Sequence, residues 1–155
     1  MTKKIIIAIL ICEAAGIIGA FFTTPAIATW YSEIRKPNFV PPDWLFAPAW
    51  TTLFLLMGIS AGIIWNRGLG NKNIKTALSI FGVQLASNIL WSLLFFGLKS
   101  PFLAFLEIIL LWLAILINII SFYKISKTAG LLLLPYILWV SFAALLNFSV
   151  WQLNS

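Results

Sequence analysis

Two stretches of the sequence repeat polar and aromatic side chains at helical spacing, and together they suggest the walls of a binding site. The first stretch places two amides and two rings at positions i, i+4, i+7 and i+11 of one helix face: Gln84, Asn88, Trp91 and Phe95. An amide inside an apolar helix either joins neighbouring helices or meets a ligand. The adjoining rings favour a pocket with a polar edge between helices.

A second face of this kind occurs near the C-terminus. It combines two aromatic residues, a small residue and an amide at i, i+3, i+7 and i+11: Tyr136, Trp139, Ala143 and Asn147. Such a face is either a packing surface, where the small residue allows close approach of another helix, or a second wall opposite the first. The residues alone leave both interpretations open.

Two carboxylates, Glu13 and Glu107, lie within long apolar segments that contain no lysine or arginine at similar depth. One hypothesis is proton-coupled transport through Glu13, because an ionisable residue inside a membrane often marks an ion pathway. The alternative is a neutral acid that forms a hydrogen bond with a neighbouring helix. The sequence offers no other residue to complete a proton relay, which favours the alternative.

The composition indicates that the bilayer surrounds these faces. Of 155 residues, 62% are hydrophobic and 9% are charged, whereas a soluble domain averages about 25% charged residues. The net charge of +6 arises from short connections between apolar runs, a pattern that sets membrane orientation and argues against a nucleic-acid partner. The sequence has no histidine and one cysteine, Cys12, so it predicts no disulfide, no metal site of these ligands and no resident cofactor.

These features predict an all-α membrane protein, a bundle of five transmembrane helices that forms a single domain over residues 1–155. A helix needs about 20 residues to cross, and the apolar segments of that size cover residues 5–24, 44–65, 75–97, 101–123 and 129–151. The first segment begins like a signal peptide but is interpreted as a retained helix, because no clear cleavage motif follows it. Two small-residue pairs, Gly58 with Gly62 and Ala15 with Gly19, predict close helix packing inside the bundle or across a dimer.

Lysine and arginine residues divide unequally between the two ends of the predicted bundle. Seven lie at one end, namely Lys3, Lys4, Arg67, Lys72, Lys75, Lys124 and Lys127, and three lie at the other, namely Arg35, Lys36 and Lys99. The positive-inside rule therefore predicts a protein of the cell membrane whose N-terminus is cytoplasmic. The C-terminus and the first loop are then extracytoplasmic.

The first loop, predicted at residues 25–43, is rich in proline and has aromatic residues on both sides. Tryptophan and tyrosine are typical of the membrane interface, which explains the rings but not the prolines. Because proline fixes φ and reduces conformational freedom, the pattern favours a stiff lid over the mouth of a pocket. Within the fifth span, Pro135 is expected to bend the helix or to mark its interfacial end.

The segment from Trp30 to Gly58, WYSEIRKPNFVPPDWLFAPAWTTLFLLMG, resembles the signature of the TspO/MBR family, which comprises tryptophan-rich sensory proteins and translocator proteins. The similarity continues in ALSIFGVQLASNILWSLLFFG and LLLLPYILWVSFAALLNFSVWQLN, so it covers nearly the whole chain. The resemblance implies a five-helix, usually dimeric membrane protein with a pocket open toward the first loop. It also implies as ligands porphyrins such as protoporphyrin IX, related tetrapyrroles, benzodiazepine-type compounds and, in animal members, cholesterol.

By motif match, the resemblance places Trp50, Asn88 and Trp139 in the family's pocket, and two further residues on its fifth-span wall. With the faces described above, the expected ligand-binding residues are Trp30, Phe46, Trp50, Gln84, Asn88, Trp91, Phe95, Trp139, Ala143 and Leu146. Arg35 or Lys36 could meet the acidic groups of a porphyrin at the mouth, or remain solvated in the loop.

Three functions follow as expectations. The first is a receptor or carrier for a planar apolar ligand, most directly a porphyrin, whose rings would stack on aromatic side chains. The second is light-dependent porphyrin breakdown, described for some family members, for which Trp50 and Trp139 are the candidate catalytic residues. The third is proton-coupled transport that uses Glu13. Sterol binding through the animal C-terminal motif is not expected, because Phe148 stands at its tyrosine position and no basic residue follows.

Overall fold

The computed structural model describes residues 2–155, and within this range the chain forms helices and no strand. The helices are α1 (Thr2–Ala26), α2 (Phe46–Trp65), α3 (Lys72–Ser92), α4 (Pro101–Ile125), α5 (Lys127–Leu132) and α6 (Leu134–Asn154). Short helical turns extend three of these elements: Ile27–Tyr31 follows α1, Asp43–Leu45 precedes α2, and Leu93–Gly97 follows α3.

Five helical segments are long and apolar enough to cross a membrane: Thr2–Tyr31, Asp43–Trp65, Lys72–Gly97, Pro101–Ile125 and Lys127–Asn154. Large apolar side chains are exposed along the outer faces of these segments, among them Leu10, Val83 and Leu138. An apolar outer surface of this kind suits contact with lipid. The predicted all-α, five-span fold is therefore confirmed, and the chain is a multi-pass membrane protein.

Helix α1 continues through Pro25, so the prediction that the first loop begins at this residue is wrong. Pro25 lies inside α1, and the helix then widens into a π-helical turn over Ile27–Tyr31. A proline removes one backbone hydrogen bond and crowds the preceding turn, and a π-helical turn is one way in which a helix absorbs such a defect. The hydroxyl of Thr29 donates to the carbonyl of Pro25 at 2.8 Å, which gives that oxygen a partner. The connection between the first two spans is correspondingly shorter than predicted.

The glycine pair of α2 packs against α1 within the same chain. A Cβ atom placed on Gly62 would lie 2.6 Å from Cα of Ile5, and one placed on Gly58 would clash with the backbone of Ile9. The predicted close approach is therefore confirmed, and it joins two helices of one bundle. Gly19 of α1 lies near α3, since its Cβ would be 3.3 Å from the hydroxyl oxygen of Ser92.

The fifth span is interrupted near its start, as the position of Pro135 predicts. Helix α5 ends at Leu132, and α6 begins at Leu134 with the proline in its first turn, where its missing N–H costs little. Helix α5 is held against α2 because the hydroxyl of Ser60 donates to the carbonyl of Ala129 at 2.7 Å. The break lets α6 begin anew, with the second aromatic face on its inner side.

Candidate ligand-binding site

Helices α1, α2, α3 and α6 surround a cavity of about 270 Å³ at the end of the bundle nearest the first loop. Eight of the ten residues expected from the sequence line it: Phe46, Trp50, Asn88, Trp91, Phe95, Trp139, Ala143 and Leu146. The two helical faces identified in the sequence therefore lie in the walls of one space. This arrangement favours the second-wall interpretation of the α6 face over a role in packing alone.

Trp50 of α2 lies at the centre of the aromatic contacts. Its ring centroid is 6.4 Å from that of Trp91 on α3 with an interplanar angle of 33°. It is 6.3 Å from the ring of Trp139 on α6, and here the planes meet at 88°. Phe54, one turn further along α2, lies 5.8 Å from the Trp50 ring. A single indole thus links three walls of the cavity through tilted and edge contacts, which are favourable geometries for aromatic pairs.

A chain of hydrogen bonds fixes the wall behind these rings. The side-chain amide of Asn88 donates to the hydroxyl of Tyr136 at 2.7 Å. That hydroxyl in turn donates to Oε1 of Gln84 at 2.7 Å. Because both Tyr136 and Gln84 are almost completely buried, this chain ties α3 to α6 and holds Asn88 at the cavity surface.

A second hydrogen-bond chain fixes the orientation of Trp91. Its indole N–H donates to Oδ1 of Asn147 at 2.9 Å. The amide nitrogen of Asn147 donates to the carbonyl of Pro101 at 2.8 Å, so α3, α6 and the start of α4 are joined. On its other side, Trp91 stacks on Phe95 with a centroid distance of 5.3 Å. These contacts leave the Trp91 ring face in the cavity wall with its polar edge satisfied.

Two residues expected to bind ligand do not line the cavity. Gln84 is completely buried behind Tyr136, where it accepts the hydrogen bond described above. Trp30 packs against the outer side of Phe95, with ring centroids 5.6 Å apart and an interplanar angle of 74°. Trp30 therefore supports a lining residue directly, Gln84 supports Asn88 only through Tyr136, and neither reaches the open space.

The sequence did not identify α1 as a wall of the cavity. It contributes small and hydroxyl side chains, among them Gly16, Ala20 and Thr23, together with Ile17 and the carboxylate of Glu13. Tyr31 lines the same space from the π-helical turn. The small-residue pair of α1, Ala15 with Gly19, is interpreted from the sequence as a helix-packing signal, and only the spacing of small residues opposite the aromatic faces could indicate a wall.

The two carboxylates inside the spans differ in position. Glu13 lines the cavity from α1. Glu107 is buried between α4 and α3, where the hydroxyl of Ser87 donates to its Oε1. The interpretation that a carboxyl group forms a hydrogen bond with a neighbouring helix therefore fits Glu107. Glu13, in contrast, faces the open space of the cavity.

The two basic residues of the first loop do not line the cavity, and both are engaged in holding the loop. The Lys36 ammonium donates to the backbone carbonyl of Tyr31 at 2.6 Å, and its nitrogen lies 4.7 Å from the centroid of that ring. The backbone of Arg35 is bound at both polar atoms by one C-terminal side chain. Its N–H donates to Oδ1 of Asn154 at 3.0 Å, and its carbonyl accepts from Nδ2 of Asn154 at 2.8 Å.

The cavity reaches the outer surface of the bundle between α1 and α2. Six of its lining residues are exposed, namely Ile17, Ala20 and Thr24 of α1, Ala47 and Thr51 of α2, and Asp43 of the turn that precedes α2. At the opposite end of these two helices, the glycine contacts described above hold them together. The opening therefore lies on the side of the bundle that faces lipid.

Comparison with known proteins places this architecture in one family. The model of the TspO/MBR family matches residues 8–152. The chain is 45% identical to the tryptophan-rich protein TspO of Archaeoglobus fulgidus, over 98% of this chain and 97% of the relative. It is 36% identical to the tryptophan-rich sensory protein of Cereibacter sphaeroides, over 88% and 85% of the two chains. It is 34% identical to the translocator protein of Bos taurus, over 94% and 86%.

The match extends from α1 to α6 and so includes every helix that contributes to the cavity. The family expected from the segment Trp30 to Gly58 is confirmed by these comparisons. This five-span chain, with its aromatic cavity under the first loop, is a member of the TspO/MBR family.

Proposed function

We propose that this protein is a membrane receptor or carrier that binds planar apolar ligands, namely porphyrins such as protoporphyrin IX, related tetrapyrroles and benzodiazepine-type compounds. The observation that carries the proposal is the position of Trp50 between the rings of Trp91 and Trp139 in one cavity. Flat ligands gain from stacked and edge contacts with such rings. An apolar lining with a few polar groups, here Asn88 and Glu13, is typical of small-molecule sites.

The size and position of the cavity support a ligand that arrives from the bilayer. Its volume of about 270 Å³ lies just below the range of about 300–1,000 Å³ that small-molecule sites occupy. We expect a macrocycle to widen the cavity as it binds. The exposed boundary between α1 and α2 is the side on which the walls can separate, and a ligand dissolved in lipid would enter there.

Quenching of tryptophan fluorescence tests the proposal. Purified protein in detergent is titrated with protoporphyrin IX in the dark, beside a Trp50→Phe/Trp139→Phe variant. We expect saturable quenching by the wild type and a clear loss of affinity in the variant, because both indoles line the cavity. A Trp44→Phe/Trp65→Phe variant is the matched control, since neither of these tryptophans lines the cavity.

The control separates site binding from partition into the micelle. Affinity should survive in the Trp44→Phe/Trp65→Phe protein. If quenching is unsaturable, or equal in all three proteins, the porphyrin only dissolves in detergent and the proposal fails.

Trp50 and Trp139 also support a second candidate function, light-dependent porphyrin breakdown. A bound porphyrin would absorb light beside two oxidisable indoles whose centroids are 6.3 Å apart, with dioxygen as the oxidant. Loss of porphyrin absorbance under illumination would reveal the activity. An equal rate in the Trp50→Phe/Trp139→Phe variant would show that the breakdown occurs in solution.

The place of Glu13 in the cavity wall keeps proton-coupled transport as a third candidate. An ionisable group beside a substrate could couple proton release to substrate movement. Uptake of a porphyrin into proteoliposomes under a proton gradient would test this function. Uptake that persists in a Glu13→Gln variant would rule out that role for the carboxylate.

We further propose that the protein is a homodimer of the cell membrane with a cytoplasmic N-terminus. The unequal division of lysine and arginine between the two ends supports the orientation. A Cys12→Ser/Ser155→Cys variant should react with a membrane-impermeant maleimide added to intact cells. Labelling that occurs only after lysis would show that the C-terminus is cytoplasmic and would contradict the proposed orientation. Light scattering of the purified protein would measure its mass and so test whether it is a dimer.

A further inference from the structure

A second open space lies on the outer surface of the bundle, between α3 and α4. It is a groove of about 460 Å³, and among the described residues it shares no lining residue with the cavity. Its volume lies within the range of about 300–1,000 Å³ that small-molecule sites occupy. We call it the α3–α4 groove. It runs from Lys72 to Val83 along α3, and Ala114 and Ile117 of α4 line its other side.

The side chains that α3 contributes to the groove change in character along the helix. Two cations and then two hydroxyls share one helix face at positions i, i+3, i+4 and i+7: Lys72, Lys75, Thr76 and Ser79. Beyond them the lining is apolar, at Ile80 and Val83. The groove is therefore charged at its end, polar over the next turn and apolar beyond. A phospholipid has the same order of groups, from the phosphate through the glycerol esters to the acyl chains.

The length of the groove fits within one leaflet of a bilayer. Lys72 and Val83 are eleven positions apart (83 − 72 = 11), which corresponds to about 16 Å along a helix. One leaflet is about 20 Å thick when its headgroups are included. Lys72 is the first residue of α3, so its ammonium group lies at the level of the headgroups. Val83 then lies among the acyl chains.

The end of the bundle opposite the first loop, where the polar part of the groove lies, is strongly basic. Seven of the ten lysine and arginine residues are at this end, and they include Lys72 and Lys75, which are both exposed. The four acidic residues lie elsewhere, at the first loop or within spans: Glu13, Glu33, Asp43 and Glu107. Because no carboxylate at this end offsets the two ammonium groups, their charge favours an anionic partner.

Contacts on the buried side of the groove fix its two helices to each other. Phe81 of α3 stacks on Phe122 of α4, with ring centroids 5.8 Å apart and an interplanar angle of 17°. Further along the same pair of helices, the hydroxyl of Ser87 donates to Glu107. The groove is therefore formed before a ligand arrives, and a preformed site lowers the cost of binding.

A second copy of this chain is a poorer occupant of the groove than a lipid. In a two-fold dimer that met through this face, Lys72 and Lys75 of one copy would approach the same residues of the other. Like charges repel each other, and this end of the bundle has no acidic residue to offset the repulsion. An anionic lipid brings the opposite charge together with an apolar chain.

We propose that the α3–α4 groove binds one anionic phospholipid. The phosphate of its headgroup lies at Lys72 and Lys75. One acyl chain follows the groove past Val83 and Ile117, which are 64% and 53% exposed. Basic pockets between transmembrane helices are typical sites for acidic lipids. This site is separate from the cavity, so the inference goes beyond the proposed function and does not depend on it.

Native mass spectrometry of the delipidated protein in a non-ionic detergent tests the charged part of the site. Phosphatidylglycerol and phosphatidylcholine with identical acyl chains are titrated separately, and the affinity for the first bound lipid is measured. We expect the wild type to bind phosphatidylglycerol about tenfold more tightly, and Lys72→Gln/Lys75→Gln to lose most of this preference. The matched control, Lys124→Gln/Lys127→Gln, removes two charges from the same end outside the groove and should keep the preference.

A tryptophan placed in the apolar part tests the path of the acyl chain. Val83→Trp fills this part of the groove, so we expect the affinity for phosphatidylglycerol to fall about fivefold or more. The control is Leu110→Trp, because Leu110 is also 64% exposed and lies on α4 outside the groove. This variant should bind the lipid as the wild type does.

Four outcomes would overturn the inference. Equal affinity of the wild type for both lipids would remove the anionic preference, and an equal loss in the two double-lysine variants would show a general effect of charge. Displacement of phosphatidylglycerol by soluble glycerol 3-phosphate would show a phosphate site without an acyl chain. A smaller dimer fraction in Val83→Trp, with unchanged lipid affinity, would assign the groove to a second copy of the chain.

The binding of protoporphyrin IX separates this inference from the proposed function. Lys72→Gln/Lys75→Gln should bind the porphyrin as the wild type does, because neither lysine lines the cavity. If the wild type bound no porphyrin, the proposed function would fail, and the lipid titrations would still decide the assignment of the groove.

Discussion

The rings of Trp50 and Trp139 meet edge to face, with their centroids 6.3 Å apart and their planes at 88°. The two residues come from α2 and α6, the second and fifth spans, and both line the cavity. Their contact therefore depends on the correct assembly of the whole bundle. The hydrogen bonds that join α3 to α6 behind these rings also require the assembled bundle. A variant that destabilises the bundle is therefore expected to disturb the cavity as well.

The hydroxyl of Tyr136 should stabilise the fold. Tyr136→Phe removes the group that accepts from Asn88 and donates to Gln84, and it leaves the buried amide oxygen of Gln84 without this partner. We expect a loss of about 1–3 kcal/mol in the free energy of unfolding. Thermal unfolding in detergent, followed by near-ultraviolet circular dichroism, measures the change, and Tyr123→Phe should be neutral.

Glycines of α2 and α3 should respond oppositely to the same substitution. Gly58→Ala places a Cβ atom against the Ile9 backbone, so we expect a destabilisation of about 1–3 kcal/mol. Gly82 has no atom within 4 Å of such a Cβ, so Gly82→Ala should stabilise α3 by about 0.5–1 kcal/mol. Equal melting temperatures for the two variants would contradict the close approach of α1 and α2.

Asn118 of α4 offers a route to a more stable protein. Its side chain is 1% exposed, and neither of its polar atoms has a partner among residues 2–155. Asn118→Leu keeps the branched shape of the side chain, with some added volume, and removes two buried unpaired groups, so we expect a net rise of about 1 kcal/mol in the free energy of unfolding. A lower melting temperature would show that a bound water or lipid group pairs with the amide.

The opening between α1 and α2 should control the rate at which a ligand enters. Ala47→Trp places a large ring at an exposed position of the cavity wall. We expect the association rate of protoporphyrin IX to fall about tenfold or more, because binding then requires a further conformational change. Stopped-flow quenching measures this rate, and Leu55→Trp, at an exposed α2 position outside the lining, is the control. Unchanged association in Ala47→Trp would place the entrance elsewhere.

Much of the fold was predictable because each span is a long apolar segment. Residues of α3 and α6 were identified because large rings and amides at helical spacing leave a strong pattern. The wall formed by α1 was missed, since glycine, alanine and threonine are equally typical of packed membrane helices.

The positions of Gln84 and Pro25 differ from the sequence-based predictions, because both depend on information that a single sequence does not contain. Gln84 shares a helix face with Asn88, yet the Tyr136 hydroxyl from α6 caps it, and this contact depends on the approach of another helix. The sequence predicts that the first span ends before Pro25, because proline usually ends a helix. In a membrane, continued helix hydrogen bonding is favoured strongly enough that a π-helical turn follows the proline, which makes Trp30 and Tyr31 helical.

The paired hydrogen bonds between Asn154 and the backbone of Arg35 attach the C-terminal end of α6 to the first loop. The loop and the final turn of the chain must therefore move together when the mouth of the cavity opens. An affinity tag or fluorescent protein fused after Ser155 would lie outside the cavity. It would nevertheless disturb the hydrogen bonds between Asn154 and Arg35, and we expect it to change the rate of ligand exchange. A fusion at the opposite terminus, beside the Gly62 contact with Ile5, would leave the mouth undisturbed and is the better choice for binding studies.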